Sequence, residues 1–299
     1  MIVKKGLLIG TLICSVLSSQ VMAKVSPQQA ARLGMDLTPM GAEKAGNRSG
    51  SIPSWKGGIT EAPLDYVEGD FHPDPYTGEK ARFKITSQNY EKFKKHLSQG
   101  QIEMLKRHPS YYFNIYPSHR SAAYPQFVYD EVKNNAMTAE LLQYGTGVKG
   151  TIMSSPFPIP ETGAEALWNH TLRYRSLRMG NVSSTLNTTS SGEKSLTTRE
   201  YKYYFSYSEP GITLDEIDNK IFYLKRKTLS PAKLAGQMTL VHETLDQVDS
   251  PRKSWIYMPG QRRVRRTPDL SYDTADIDSN GIRTIDQVDM FNVAPNLYN

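Results

Sequence analysis

Cysteine is nearly absent from these 299 residues: the one thiol is Cys14. It falls within the first 23 residues, which have the make-up of a cleavable secretory leader. Lys4 and Lys5 form a basic start, Gly6 to Ser18 an apolar stretch, and Val21-Met22-Ala23 supplies the small residues a signal peptidase requires. Cleavage after Ala23 leaves residues 24–299 with no thiol, disulfide or cysteine ligand, which avoids mispairing in an oxidising compartment. Long apolar runs are lacking too. The leader's stretch falls short of the roughly 20 residues that span a bilayer, Ser15, Ser18 and Ser19 interrupt it, and no later segment is long enough. Ile13 before Cys14, with apolar sequence continuing beyond it, argues against a lipidated cysteine, so soluble release into the periplasm is expected. Strong charge is also missing. The formal net charge of +6 falls by two with Lys4 and Lys5, too little to argue for nucleic acid as a partner.

Signatures of chemistry are equally scarce. There is no Gly-x-Ser-x-Gly, no His-Glu-x-x-His and no phosphate-cradling glycine loop. The six histidines are scattered singly, without ligand spacing. Asp276-Ile277-Asp278-Ser279-Asn280-Gly281 fits the first half of a calcium loop, but Gln287 stands where a bidentate carboxylate is needed, so an acidic turn is the simpler reading. No catalytic residue, metal or cofactor is expected.

What is present divides by position. Residues 24–86 are punctuated by proline and glycine and read as an irregular arm; residues 87–299 read as helices followed by strands. Helical spacing predicts Ser87–Leu97, Gln101–His108, Asp130–Tyr144 and a helix carrying Ala164, Leu167, Trp168 and Leu172 on one face. Tyr111–Pro125 reads as irregular. Alternation predicts strands at Asn181–Thr189, Lys194–Ser208, Lys220–Leu229, Gln237–Leu245, Lys253–Met258 and Gln261–Arg266, joined as an antiparallel meander. Helices first and strands later give an α+β class. Eighteen tyrosines against nine phenylalanines suit strands and walls that are apolar with a polar tip.

The most distinctive segment is Trp255-x-Tyr257-x-Pro259-Gly260-Gln261-Arg262-Arg263-Val264-Arg265-Arg266. Its crowded guanidiniums require anions, either nearby aspartates or the headgroup of a ligand. Here the chain resembles outer-membrane lipoprotein-sorting-like proteins, and more closely the family filed as domain of unknown function 1329. The likeness extends through Leu37-Thr38-Pro39-x-Gly41, Ile52-Pro53-x-Trp55-x-Gly57-Gly58, His72-Pro73-Asp74-Pro75-Tyr76, Tyr116-Pro117-x-His119-Arg120, Pro156-Phe157-Pro158-Ile159-Pro160 and Trp168-Asn169-His170. The resemblance implies an open antiparallel half-barrel like LolA and LolB, with helices on its concave side around an apolar cavity. It also implies an inner-membrane exporter of the resistance-nodulation-division type and an outer-membrane β-barrel protein as partners. Family members usually continue past the point where this sequence stops, so a truncated copy lacking C-terminal strands is expected.

The function expected is a periplasmic carrier or accessory protein for a lipid or other apolar molecule. Leu167, Trp168, Phe205, Tyr207, Phe222, Leu224 and Leu240 are candidate cavity residues, with Trp255, Tyr257, Arg263 and Arg265 as further ligand contacts. One alternative is a structural bridge between envelope proteins with no ligand. Another is an envelope hydrolase using His119 and His170 as acid and base.

Overall fold

The computed structural model describes residues 25–267, 273–276, 279 and 281–291. The leader, with its cleavage point after Ala23, and Asp278 and Asn280 of the acidic loop lie outside the described residues.

Alternation produces the expected sheet. Six strands, β5 (Arg178–Thr188), β6 (Lys194–Tyr204), β7 (Phe222–Ser230), β8 (Met238–Glu243), β9 (Lys253–Met258) and β10 (Arg263–Arg266), follow one another as an antiparallel meander in the order β10-β9-β8-β7-β6-β5. Among the described residues the sheet is open, with β5 and β10 as its edges. With the helices that precede it in the chain, this is the α+β architecture expected.

The helices begin where side chains cap them. Ser98 with Gln101 and Thr162 with Glu165 form reciprocal capping boxes at α2 (Gln99–Arg107) and α4 (Gly163–Thr171). Ser26 and Gln29 do the same for the short α1 (Pro27–Ala30). Between α2 and α4, α3 (Gln126–Thr138) starts at the residue after Pro125, four residues earlier than Asp130, and ends before Tyr144. It ends at Thr138, whose hydroxyl donates to Asn134 O and Gly150 O, and the chain then turns back as a short hairpin of β3 (Glu140–Leu141) and β4 (Val148–Lys149). Tyr144 sits in that hairpin's turn with φ +59°.

Two segments differ from expectation earlier in the chain. Residues Tyr90–His96 coil as a 3-10 helix with no buried residue. Tyr111–Pro125 contains β2 (Tyr112–Ile115), which pairs with β1 (Phe83–Thr86) at the end of the arm. The arm itself is fastened by its glycines and by Arg120. A Cβ at Gly41, whose φ is +87°, would lie 1.6 Å from Pro158 O, so only glycine allows the arm to meet the proline-rich stretch. Arg120 donates to the carbonyls of Glu43 and Lys44, and Trp55 Nε1 to Ala122 O.

Val128, Val132 and Ala136 fall at helical spacing on the buried face of α3. Asn135 beside them is also buried: Nδ2 donates to Ile152 O at 2.8 Å, and Oδ1 accepts from Ile152 N at 3.1 Å. Asn135→Ala strands the buried Ile152 N, while Ile152 O still accepts from Ser154 N, and urea unfolding is expected to show a loss of about 1–3 kcal/mol with an unchanged m-value.

Candidate functional site

Cross-strand register fixes which side chains share a face of the sheet. Four successive rows face the same way. Starting nearest the helices, the rows are Phe222 with Glu243; Tyr203, Leu224, Val241 and Ser254; Tyr201, Arg226, Thr239, Ile256 and Arg265; then Arg199 and Thr228 on β6 and β7, with Met258 and Arg263 on β9 and β10. The first row runs into the main core, where Phe222, Phe205, Tyr207, Ile221 and Leu245 pack with Trp168 of α4 and with Leu172, the residue that caps its C-terminus. Helix α4 therefore covers the same face, at one end of the strands.

The rest of this face is roofed by the described residues 273–276 and 281–291. Ala275 and Thr284 bridge to each other, and Thr274, Asp276, Arg283, Ile285 and Val288 come down opposite the sheet. Between roof and sheet lies a cavity of about 320 Å³. Its floor is Tyr201, Tyr203, Phe222, Leu224, Val241 and Ile256, with Arg199, Arg226, Thr228 and Thr239 toward its outer end. That volume is at the lower end of small-molecule pockets, about 300–1,000 Å³.

The roof is tied to α4 and to the segment after it. Asp289 Oδ2 accepts from Arg173 Nη2 and Arg175 Nη1, both at 2.8 Å, and Asp289 O lies 3.0 Å from His170 Nε2. Arg175 in turn stacks over Phe205, 4.7 Å from the ring centre. Burial, with Arg173 nearby, lowers its pKa below the usual guanidinium range, while burial raises that of the Tyr203 phenol. At the core end of the cavity Arg252 forms a charge-paired hydrogen bond with Glu243, their side chains only 7% and 3% exposed. On the roof, Arg283 Nε donates to Asp276 Oδ2 at 2.7 Å. The Asp276 carboxylate is thus engaged by a cation of the chain itself. Ser254 Oγ and Thr267 Oγ1 are buried hydroxyls with no hydrogen-bond partner among the described residues; Thr267 lines the cavity.

The expected site residues separate into five groups. Phe222 and Leu224 line the cavity. Trp168, Phe205 and Tyr207 are core: Trp168 Nε1 donates to Gly145 O, and the Tyr207 hydroxyl, its pKa raised by burial, is 2.8 Å from both Thr151 Oγ1 and Ser154 O. Leu167 is half-buried on α4. Leu240, Trp255 and Tyr257 lie on the opposite face of the sheet. There, Tyr204, Tyr223, His242 and Trp255 form a row of ring contacts across four strands. Arg263 and Arg265 share the cavity's face but are exposed on edge strand β10. Sequence reasoning missed Val241, Ile256, Arg199, Arg226 and the roof. For Val241 and Ile256, a shift of one residue from Leu240 and Trp255 was enough, since alternation defines two faces without saying which is inward.

His119 and His170 have separate partners. His119 Nε2 is 2.7 Å from Glu79 Oε1 and its ring stacks on Tyr76 at 3.8 Å, whereas His170 meets the Asp289 carbonyl.

Among known proteins, the family model described as "Protein of unknown function (DUF1329)" matches residues 84–299. An uncharacterized protein of Pseudomonas aeruginosa is 41% identical over 290 residues, covering 97% of this chain and 64% of the relative. The chain therefore spans less than two thirds of that curated relative's length. Two solved structures match over part of the chain. A domain described as that of an outer membrane lipoprotein-sorting protein from Vibrio parahaemolyticus gives a TM-score of 0.27 at 14% identity, over 39% of this chain and 43% of the other. A DUF1329 family protein from Desulfovibrio piger gives 0.26 at 16% identity, over 40% and 41%.

Proposed function

Since the chain belongs to the DUF1329 family, we propose that it is an exported carrier or accessory protein of the envelope that shelters the apolar part of a lipid or similar molecule. The observation that carries this reading is the cavity between the sheet and its roof, with Tyr203, Phe222, Leu224, Val241 and Ile256 as its floor. Covering an acyl chain there is favourable by about 0.8 kcal/mol per methylene and requires no bond to be made or broken. The leader's make-up supports a periplasmic setting. Among the described residues no helix is long and apolar enough to cross a membrane. An exporter of the resistance-nodulation-division type and an outer-membrane β-barrel protein are the partners proposed for loading and unloading.

The test is to purify the protein from the periplasm, extract it with organic solvent and analyse the extract by mass spectrometry. A lipid recovered in fixed proportion to protein is expected. An empty extract, together with no binding of apolar fluorescent probes, would leave the bridging role instead.

A further inference from the structure

The face of the sheet turned away from the cavity is apolar and basic together. Register puts Tyr204, Tyr223 and His242 in one row across β6, β7 and β8, with Trp255 on β9 diagonal to His242. These rings lie against one another: Tyr223 and His242 are 4.6 Å apart between ring centres, His242 and Trp255 4.7 Å. On the same face Leu240 is 38% exposed, and Val182 and Val264, on the two edge strands, are 62% and 66% exposed. From β5 to β10 the face spans five strand spacings, about 24 Å.

Cations stand among these groups. Lys202 on β6 is paired directly with Lys225 on β7, and Lys227, two residues on, shares their face. Like charges set opposite each other across strands are destabilising. The six strands contain two carboxylates, Glu200 and Glu243, and Glu243 belongs to the cavity's face. Glu200 is opposite Lys227, with Lys202 Nζ 3.0 Å from its Oε1. From the loops, Glu209 accepts from the Tyr204 hydroxyl at 2.6 Å, and Asp218 lies 3.9 Å from Lys220. Lys253 is opposite His242; burial, followed by the charges of Lys220 and Lys253, holds that imidazole's pKa below its usual value.

We propose that this outer face docks on the anionic headgroup layer of a lipid surface. The proposal goes beyond the carrier reading and does not depend on the cavity, which lies on the other face. Tyrosine, histidine and tryptophan rings suit the boundary between headgroups and hydrocarbon, where an apolar body and a polar tip are both satisfied. Lysine stems cover apolar surface while the ammonium reaches a lipid phosphate. A phosphate between Lys202 and Lys225 also relieves the repulsion of that pair. A polysaccharide fits less well. Tyr223 and His242 meet at 77° and His242 and Trp255 at 59°, so the rings turn edges to one another instead of forming a flat platform on which sugars stack. The apolar and basic groups are spread over the whole width of the sheet, which matches an extended surface better than a peptide in a groove.

The experiment mixes the full chain with vesicles of phosphatidylcholine alone, or of phosphatidylcholine and phosphatidylglycerol in equal parts, and measures co-sedimentation. Binding to the anionic vesicles alone is expected, weakening as salt is raised. Each lysine near an anionic surface is worth about fivefold in affinity, so Lys225→Gln/Lys227→Gln should weaken binding roughly tenfold or more with the melting temperature retained. The same charge removed from the cavity's face, by Arg263→Gln/Arg265→Gln, should weaken it far less. Brominated phosphatidylcholine in the anionic vesicles quenches a tryptophan that reaches the hydrocarbon boundary. Quenching is expected with the unaltered chain and should be largely lost in Trp255→Phe, which still binds. Equal weakening by the two double variants would show attraction by net charge alone, and quenching that survives in bound Trp255→Phe would put another face on the lipid; either overturns the proposal. So does absence of binding to anionic vesicles, in which case retention on dextran sulfate assigns the face to a polysaccharide and concentration-dependent association assigns it to a second copy.

Discussion

Arg252→Ala is expected to destabilise the protein by about 3–5 kcal/mol, because it removes the guanidinium paired with Glu243, whose side chain is 3% exposed. The two side chains meet at the cavity's core end, and desolvating them costs several kcal/mol per ion unless each is answered. Removing one partner retains that cost and loses the attraction. Glu243→Ala should be similarly damaging for the reciprocal reason. Replacing both together, Arg252→Met with Glu243→Leu, is expected to recover most of the loss, since two apolar groups of similar volume demand no pairing. Urea unfolding of the three variants checks this. Loss in the double variant equal to the sum of the singles would show that the groups do not act as a pair.

Trp168→Ala is the second large effect, again about 3–5 kcal/mol. Trp168 is 1% exposed, joins α4 to Phe205, Tyr207 and Phe222, and donates from Nε1 to Gly145 O in the turn of the β3–β4 hairpin. Truncation empties the volume of an indole and strands a buried carbonyl. Because the same cluster adjoins Phe222 and Leu224 at the cavity floor, the variant should also weaken binding of an apolar probe in the fraction that remains folded. Thermal unfolding should fall by several degrees, on the order of 2–4 °C per kcal/mol for a chain of this class. A shift within 2 °C would mean that α4 is not packed against the sheet as described.

Much of the fold was legible because burial leaves period-two and helical patterns in the chain. The strands between Arg178 and Arg266 alternate clearly, and Thr162 and Ser98 mark helix starts by their capping partners. The β1–β2 hairpin was not legible: each strand has four residues, and one lies at the end of a glycine- and proline-rich arm. Strand β6 ends at Tyr204 rather than Ser208 because Phe205 turns the chain inward, carrying Tyr207 into the core. The site was read only in part for a different reason. Both faces of the sheet carry large apolar side chains, with the Tyr204, Tyr223, His242 and Trp255 row on the outside, so hydrophobicity alone does not separate Leu240 from Val241 or Trp255 from Ile256. The roof is a tertiary feature. Its attachment depends on Asp289 meeting Arg173 and Arg175 across more than a hundred residues of sequence, a distance at which pattern carries no information.

The central claim is that the space between sheet and roof holds the ligand, and filling that space tests it most directly. Val241 lies on the floor between Leu224 and Ser254, so Val241→Trp should occupy the cavity; Leu224→Trp serves the same purpose from the next strand if the first variant loses stability through overpacking. Fluorescence titration with N-phenyl-1-naphthylamine is expected to give saturable one-to-one binding to the unaltered chain and at least tenfold weaker binding to a tryptophan variant whose melting temperature is retained. Binding of the same strength to the folded variant would place the ligand elsewhere and contradict the account.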